Sequence, residues 1–144
     1  MNESTSNQQQ NMNRVRALAE QVFSAGRLEL VDELVHPDFH DYSAPEGLRD
    51  RDGFRQIVQF WRMNTSKFQV KVVKIFATDE WVGMVDETSG VHDRNEIFGV
   101  APNGASFAFE AVHAFRMQEG KMREHWVQTS VPEVLQGWIG QHRP

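Results

Sequence analysis

The spacing of apolar residues changes near Lys67, and that change constrains the fold more than any single motif. Before Lys67 the apolar side chains recur at helical spacing, as in Val15, Leu18, Val22 and Phe23. After it, apolar and polar residues alternate, as in strands that bury one face. Helices followed by a run of long alternating segments predict an α+β protein with an antiparallel sheet.

Four helices and four strands are predicted from this pattern. The predicted helices cover residues 15–23, 28–35, 53–64 and 132–139. The predicted strands are the run that starts at Lys67, then Trp81–His92, residues 105–117 and Lys121–Thr129. Gly26 suits the end of the first helix, and Pro37 ends the second because the residue before a proline is disfavoured in helical geometry. Residues 39–53, with their proline and glycines, are predicted to be mostly loop.

Strands of this length in one sheet must twist and coil. A sheet curled around the helices leaves a closed end and an open mouth. The predicted fold is therefore a cone-shaped α+β barrel, in which a curved antiparallel sheet wraps around the N-terminal helices and encloses an apolar pocket. Ten Phe and four Trp residues against a single Tyr are consistent with a bulky core and an aromatic-lined pocket.

The composition excludes several classes of function. The 144 residues suit one domain, predicted over residues 13–144, whereas residues 1–12 are polar and predicted to be a disordered tail. The absence of cysteine excludes disulfides, thiol nucleophiles and thiolate metal sites. A net charge of -5 with scattered Lys and Arg argues against nucleic acid or a membrane surface as partner. No apolar run resembles a signal peptide, so a cytoplasmic location is expected.

Several motifs occur in a fixed order along most of the chain. They are Gly26-Arg27, residues 31–39 (VDELVHPDF), Gly90-Val91-His92, residues 98–104 (FGVAPNG), residues 112–116 (VHAFR), residues 120–126 (GKMREHW) and a terminal stretch at 135–140. In this series the chain resembles the SnoaL-like polyketide cyclases, a branch of the nuclear-transport-factor-two-like fold. The resemblance implies a conical pocket, a homodimer formed through the outer face of the sheet, and ring closure on a small hydrophobic polyketide without metal or cofactor. Fold alone does not fix the reaction, because this fold serves many functions.

One catalytic position departs from the family pattern. In the aldolase-type cyclases that the chain resembles, an Asp directly after the position of Trp126 acts as the acid/base, and a His at the position of His113 lies near it. This chain keeps His113 but has Val127 in place of the Asp. A valine cannot move a proton, so either another group supplies the proton transfer or the reaction needs none.

Histidines and acids near the predicted strands could replace the missing carboxylate. Histidine is suited by its near-neutral pKa. The pair Asp86-Glu87 stands out because acids are depleted in strands, and alternation turns one of the two toward the concave side. The candidate catalytic residues are His113, Glu87, Asp86 and His125, with His92, Glu110 and Asp41 as further candidates. Each also has a structural interpretation, in which the histidines bond across the sheet and the acids face solvent.

A pericyclic closure, such as an intramolecular Diels–Alder reaction, would need no proton transfer. Positioning alone can remove roughly 7–11 kcal/mol of barrier in the best intramolecular cases. The candidate substrate-binding residues are Trp61, Tyr42, Phe54, Phe115, Trp126, Val127 and Asp41, and Trp138 is a further candidate for the wall. The spacing of His36 and His40 suggests a metal pair, but Pro37 interrupts the helix that it requires, so no metal is predicted.

The sequence therefore predicts a cofactor-independent cyclase of polyketide natural-product biosynthesis that closes a ring in an apolar pocket, and Val127 favours the pericyclic route. Two alternatives stay open: a cofactor-less oxygenase or isomerase of the same fold, and a non-catalytic ligand-binding module. Dependence on oxygen would single out the oxygenase. Pocket substitutions that leave the pathway product unchanged would single out the binding module.

Overall fold

Five strands form one sheet in the computed structural model, which describes residues 3–130 and their side chains from Ser6 onward. The helical segments are α1 (Glu3–Ala17), a π-helix (Leu18–Ser24), a 3-10 turn (Leu28–Leu30), α2 (Val31–Leu34) and α3 (Arg51–Asn64). The strands are β1 (Val35–Asp41), β2 (Ser66–Ala77), β3 (Trp81–His92), β4 (Ala105–Gln118) and β5 (Lys121–Thr129). Their order in the sheet is β1-β5-β4-β3-β2. The predicted α+β cone and all four predicted strands are confirmed.

The sheet departs from the predicted antiparallel pattern at one edge. Strand β1 pairs with β5 in parallel, so the sheet is mixed, and part of the stretch predicted as loop is extended. Pro37 lies inside β1, where the register shifts between Val35 and His40. A proline is tolerated there because β1 is an edge strand and its pairing with β5 is interrupted at Pro37. The N–H that proline lacks is therefore not needed for a hydrogen bond in the sheet. This parallel strand carries Asp41 into the interior of the molecule.

Helix α1 begins well before the apolar pattern that predicts it. The composition of residues 1–12 predicts disorder, whereas the structure continues the helix back to Glu3. Asn11 is buried, and the Gln8 side chain donates a hydrogen bond of 2.8 Å to Asp79. Contacts with the body of the protein thus hold a segment whose own composition favours the unfolded state. The predicted helix at 132–139, with Trp138, lies outside the described residues.

The concave face of the sheet and the helices share one core. Alternation along β3 and β4 turns Val82, Met84 and Phe115 inward, where they meet Val22 and Val58 from the helices. Gly26 ends the π-helix with a φ of 76°, as its place after the apolar run predicts. Among residues 3–130, no helix is both long enough and apolar enough to cross a membrane. The remaining space between the helices and the sheet is the cavity described next.

Candidate active site

A cavity of about 330 Å³ lies between the concave face of the sheet and the helices. Its helical wall is apolar and is formed by Leu18, Ala19, Phe23, Phe54, Ile57 and Trp61. Its opposite wall combines apolar side chains with the polar residues Asp41, Ser43, Asp86, Thr88, His113, His125 and Thr129. A pocket with polar groups confined to one wall can orient a largely hydrophobic ligand and present one edge of it to those groups.

Four of these polar residues form a continuous hydrogen-bonded chain, which we call the relay. His113 Nε2 lies 2.6 Å from Asp86 Oδ2, and His113 Nδ1 lies 2.8 Å from His125 Nε2. His125 Nδ1 lies 2.9 Å from Asp41 Oδ2. Asp86 is 2% exposed, and Asp41 and His125 are each 5% exposed. Each imidazole is therefore bonded through both ring nitrogens, and each end of the relay is a buried carboxyl group.

Sheet register explains why four residues distant in sequence meet. Alternation turns Asp86, His113 and His125 inward from the neighbouring strands β3, β4 and β5. Asp41 is paired with His125 by the parallel strand β1. Phe115 stacks against both imidazoles, with ring centroids 4.4 Å from His125 and 5.5 Å from His113, each at an angle of 9°. The phenyl ring holds the two imidazoles nearly coplanar.

The outer end of the relay is fixed by the backbone. Asp41 Oδ1 accepts hydrogen bonds from the N–H groups of Ser43 and Ala44, at 2.9 and 3.2 Å. Burial favours the neutral acid, but the hydrogen bond from His125 and those from these two N–H groups outweigh it and lower the pKa of Asp41. Burial lowers the pKa of His125, and the Asp41 carboxylate offsets this only in part. Asp41 is thus a carboxylate and His125 a neutral imidazole.

The inner end of the relay is the Asp86–His113 pair, which lines the cavity together with Asp41 and His125. Thr88 donates a hydrogen bond of 2.9 Å to Asp86 Oδ1, while Oδ2 contacts His113. Asp86 and His113 both line the cavity, so a proton can pass between a bound ligand and this pair. Val127 also lines the cavity, directly across from His113 on the neighbouring strand. The position of the family carboxylate is therefore an apolar part of the same wall.

Most of the residues predicted from the sequence meet at this site. The cavity is lined by the predicted residues Asp41, Phe54, Trp61, Asp86, His113, Phe115, His125 and Val127. Asp41 was expected to bind substrate, but protein donors already occupy both of its oxygens. Thr88 and Ser43 were missed. Alternation alone signals Thr88, which lies two residues after Asp86 in the same strand and so on the same face.

Three predicted site residues lie elsewhere. Glu87 is exposed on the outer face, opposite Glu110, because it follows the inward-facing Asp86. Trp126 lies between two inward-facing residues of β5 and must point outward, where it stacks on Tyr42 with centroids 4.4 Å apart. Tyr42 donates a hydrogen bond to Glu124 on that face. None of the three lines the cavity, so their prediction as site residues is wrong in this structure.

Two further candidates also lie away from the cavity. His92 is fully buried, and its Nε2 is 2.7 Å from the carbonyl oxygen of Asn95, so it supports the turn that follows β3. Glu110 is exposed on the outer face. Within residues 3–130, no group of three or more His, Asp or Glu side chains has the arrangement of a metal site.

Comparisons with known proteins give a consistent result. The family model described as SnoaL-like polyketide cyclase matches residues 13–136. The nogalonic acid methyl ester cyclase of Streptomyces nogalater is 31% identical over 106 residues, which are 72% of this chain and 78% of that protein. Wild-type IdmH, a polyketide cyclase candidate from Streptomyces antibioticus, matches with a TM-score of 0.77 and 26% identity over 91% of this chain and 99% of that chain. TsrD from Streptomyces laurentii matches with a TM-score of 0.79 and 18% identity over 97% and 98%, which shows a common fold.

Proposed function

The chain belongs to the SnoaL-like polyketide cyclase family, and we propose that it closes a ring in a hydrophobic polyketide by proton transfer through Asp86 and His113, without a cofactor. The observation that carries this proposal is the contact of 2.6 Å between Asp86 Oδ2 and His113 Nε2 on the wall of an apolar cavity. A carboxylate and an imidazole that share a proton at a ligand-binding wall can serve as acid and base in one turnover.

The chemistry is an intramolecular aldol addition. Asp86 takes a proton from a carbon next to a carbonyl of the substrate, which leaves an enolate. The enolate carbon forms a bond to a second carbonyl carbon, and that carbonyl oxygen becomes an alkoxide. The Asp86–His113 pair then returns the proton to the alkoxide, so the product is an isomer of the substrate. Because the family is described as polyketide cyclases and the S. nogalater relative is named for a methyl ester, a neutral polyketide ester is the first substrate to test.

This proposal places the acid/base on a different strand from the family pattern. The aldolase-type carboxylate would project from the Val127 position on β5, whereas Asp86 projects from β3. Both positions line the same cavity, so a substrate held there can meet a carboxylate from either strand. The proton transfer that Val127 cannot perform is thus assigned to Asp86.

Pericyclic closure is the second candidate, and Val127 favours it. The helical wall and Val127 together present a largely apolar surface that could fold a flexible substrate into a reactive shape. The two candidates differ in one respect that can be measured. The aldol route breaks a C–H bond next to a carbonyl, and the pericyclic route does not.

Asp86→Asn separates the two routes. The probe is a polyketide methyl ester, beginning with nogalonic acid methyl ester, together with an analogue that lacks the carbonyl under attack. The analogue cannot cyclise, so its uptake of deuterium from D₂O measures proton transfer alone. We expect Asp86→Asn to lower both cyclisation and deuterium uptake by roughly 10²–10⁴-fold.

The matched control is Glu87→Gln, which makes the same chemical change at the adjacent exposed residue on the outer face. It should leave both rates unchanged. If Asp86→Asn cyclises the ester at the wild-type rate, and the wild type takes up no deuterium into the analogue, the acid/base proposal is wrong and the pericyclic route is favoured.

A further inference from the structure

We propose that Asp41 and His125 are positioning residues that determine which atom donates in each hydrogen bond of the relay. As a result, the proton that can be exchanged with the substrate lies between His113 and Asp86, beside the substrate. This inference rests on the proposed function for its catalytic meaning. The direction of the protons follows from hydrogen-bond geometry and can be measured without any substrate.

The relay contains three contacts, and each joins two atoms that can both accept a hydrogen bond. Each contact is attractive only if it holds a single proton. Three protons shared by two carboxylates and two imidazoles leave the relay with one negative charge. What remains to be decided is which end carries that charge.

The backbone fixes the charge at Asp41. Two N–H groups donate to its Oδ1, so the ionised carboxylate is stabilised, and its Oδ2 accepts a hydrogen bond from the N–H at His125 Nδ1. His125 is 5% exposed, and burial disfavours an imidazolium, so His125 stays neutral. Its Nε2 is then bare and must accept a hydrogen bond from His113 Nδ1. His113 therefore donates toward His125, and the third proton lies between His113 Nε2 and Asp86 Oδ2.

This direction gives the inner pair a specific capability. With Asp41 carrying the negative charge, the Asp86–His113 pair is neutral as a unit, either as acid and imidazole or as carboxylate and imidazolium. In the carboxylate–imidazolium form, Asp86 takes a proton from the substrate while His113 keeps both of its ring protons and its positive charge. That charge lies next to the developing enolate and stabilises it.

Asp41→Asn should reverse the whole relay. The N–H groups of Ser43 and Ala44 require an oxygen at the Oδ1 position, so the amide oxygen stays there and the NH₂ group takes the place of Oδ2. An NH₂ group can only donate, so His125 Nδ1 must become the bare nitrogen and Nε2 the protonated one. His113 then accepts at Nδ1 and donates from Nε2 to Asp86, which must be a carboxylate.

Asp41→Asn thus preserves the shape of the side chain and reverses which atom donates in each hydrogen bond between the two histidines and Asp86. The relay keeps one negative charge, which moves from Asp41 to Asp86, and His113 becomes a neutral imidazole without a second proton. We expect kcat for cyclisation to fall by roughly 10²-fold or more with a smaller change in KM. In the serine-protease triad, an Asp→Asn change that imposes the wrong tautomer lowers kcat by about 10⁴-fold.

Nitrogen-15 NMR of the histidine rings in the full-length protein tests the inference. Protonated and bare ring nitrogens have well-separated shifts. In the wild type we expect His125 to be protonated at Nδ1 and bare at Nε2, and in Asp41→Asn the reverse. Asp38→Asn, the same change at an exposed position of the same strand, should leave the wild-type pattern intact.

A bare Nδ1 on His125 in the wild type would overturn the inference, whether or not Asp41→Asn folds. An unchanged tautomer in a folded Asp41→Asn protein would also overturn it. If the tautomers reverse as expected but Asp86→Asn cyclises at the wild-type rate, the proposed function fails, and the positioning role in catalysis fails with it. Reversal together with a loss of kcat in Asp41→Asn supports the inference.

Discussion

Phe115 is the buried support of the relay, and its replacement by leucine should weaken both the fold and the site. The ring is 1% exposed and stacks on His113 and His125. Phe115→Leu removes the equivalent of about three methylene groups, or ~2.4 kcal/mol of transfer free energy. Loss of stacking on the imidazoles adds about 0.5 kcal/mol or more. We expect a total of about 2–3 kcal/mol, below the ~3–5 kcal/mol typical of Phe→Ala.

The assay is urea unfolding at neutral pH, followed by Trp fluorescence. A loss of about 2–3 kcal/mol in a chain of this length should also lower Tm by roughly 5–12 °C. Without the ring, the imidazoles lose the surface that keeps them coplanar. We therefore expect the histidine ¹⁵N signals to broaden or shift in Phe115→Leu, and cyclisation to slow.

Met117→Ala provides the control. Met117 is buried on the same face of β4 and does not line the cavity. Its replacement by alanine should lower the free energy of unfolding by about 2–5 kcal/mol. It should lower stability to a similar extent without changing the histidine signals. The reasoning is refuted if Phe115→Leu costs less than about 1 kcal/mol with an unchanged m-value, or if Met117→Ala disturbs the histidines equally.

Two other predictions concern acid stability and assembly. The pKa of His125 is lowered by burial, so as the pH falls below about 6.5 the unfolded chain binds a proton that the native site resists, and stability should decrease. The lowered pKa of Asp41 adds a further loss of stability below about pH 4. Urea midpoints that do not change between pH 7.5 and 5 would contradict the His125 prediction. We also expect a homodimer through the outer face of the sheet, where the apolar residues Phe76, Trp81, Val112 and Trp126 are exposed. Sedimentation velocity tests this, and a monomer at micromolar concentration would exclude it.

Local rules predicted most of the elements. Apolar alternation gave the bounds of β3 and β5 as the structure has them, because a strand that buries one face must alternate. The same rule indicated that only one of Asp86 and Glu87 could face the cavity. Applied to Trp126 and Val127, it would have shown that two consecutive strand residues cannot both line one pocket.

Other features depended on contacts that the local sequence does not reveal. Residues 3–12 are polar enough to predict disorder, yet they are helical because the folded body holds one face of α1. Residues 35–41 become a strand because β5 offers them an edge, and the turn that follows places two N–H groups on Asp41. Without that parallel edge strand the relay would end at His125.

The sequence by itself determined the α+β cone, the apolar cavity, the family and the loss of the usual carboxylate at Val127. The cone and the cavity follow from residue type and spacing along the chain, whereas the family and the missing carboxylate follow from the resemblance of the ordered motifs to that family. Only the tertiary structure decided that Asp86, His113, His125 and Asp41 form one relay. The physical reason is that proton direction depends on which atoms face each other across four strands, and that is a property of register and burial rather than of any local motif.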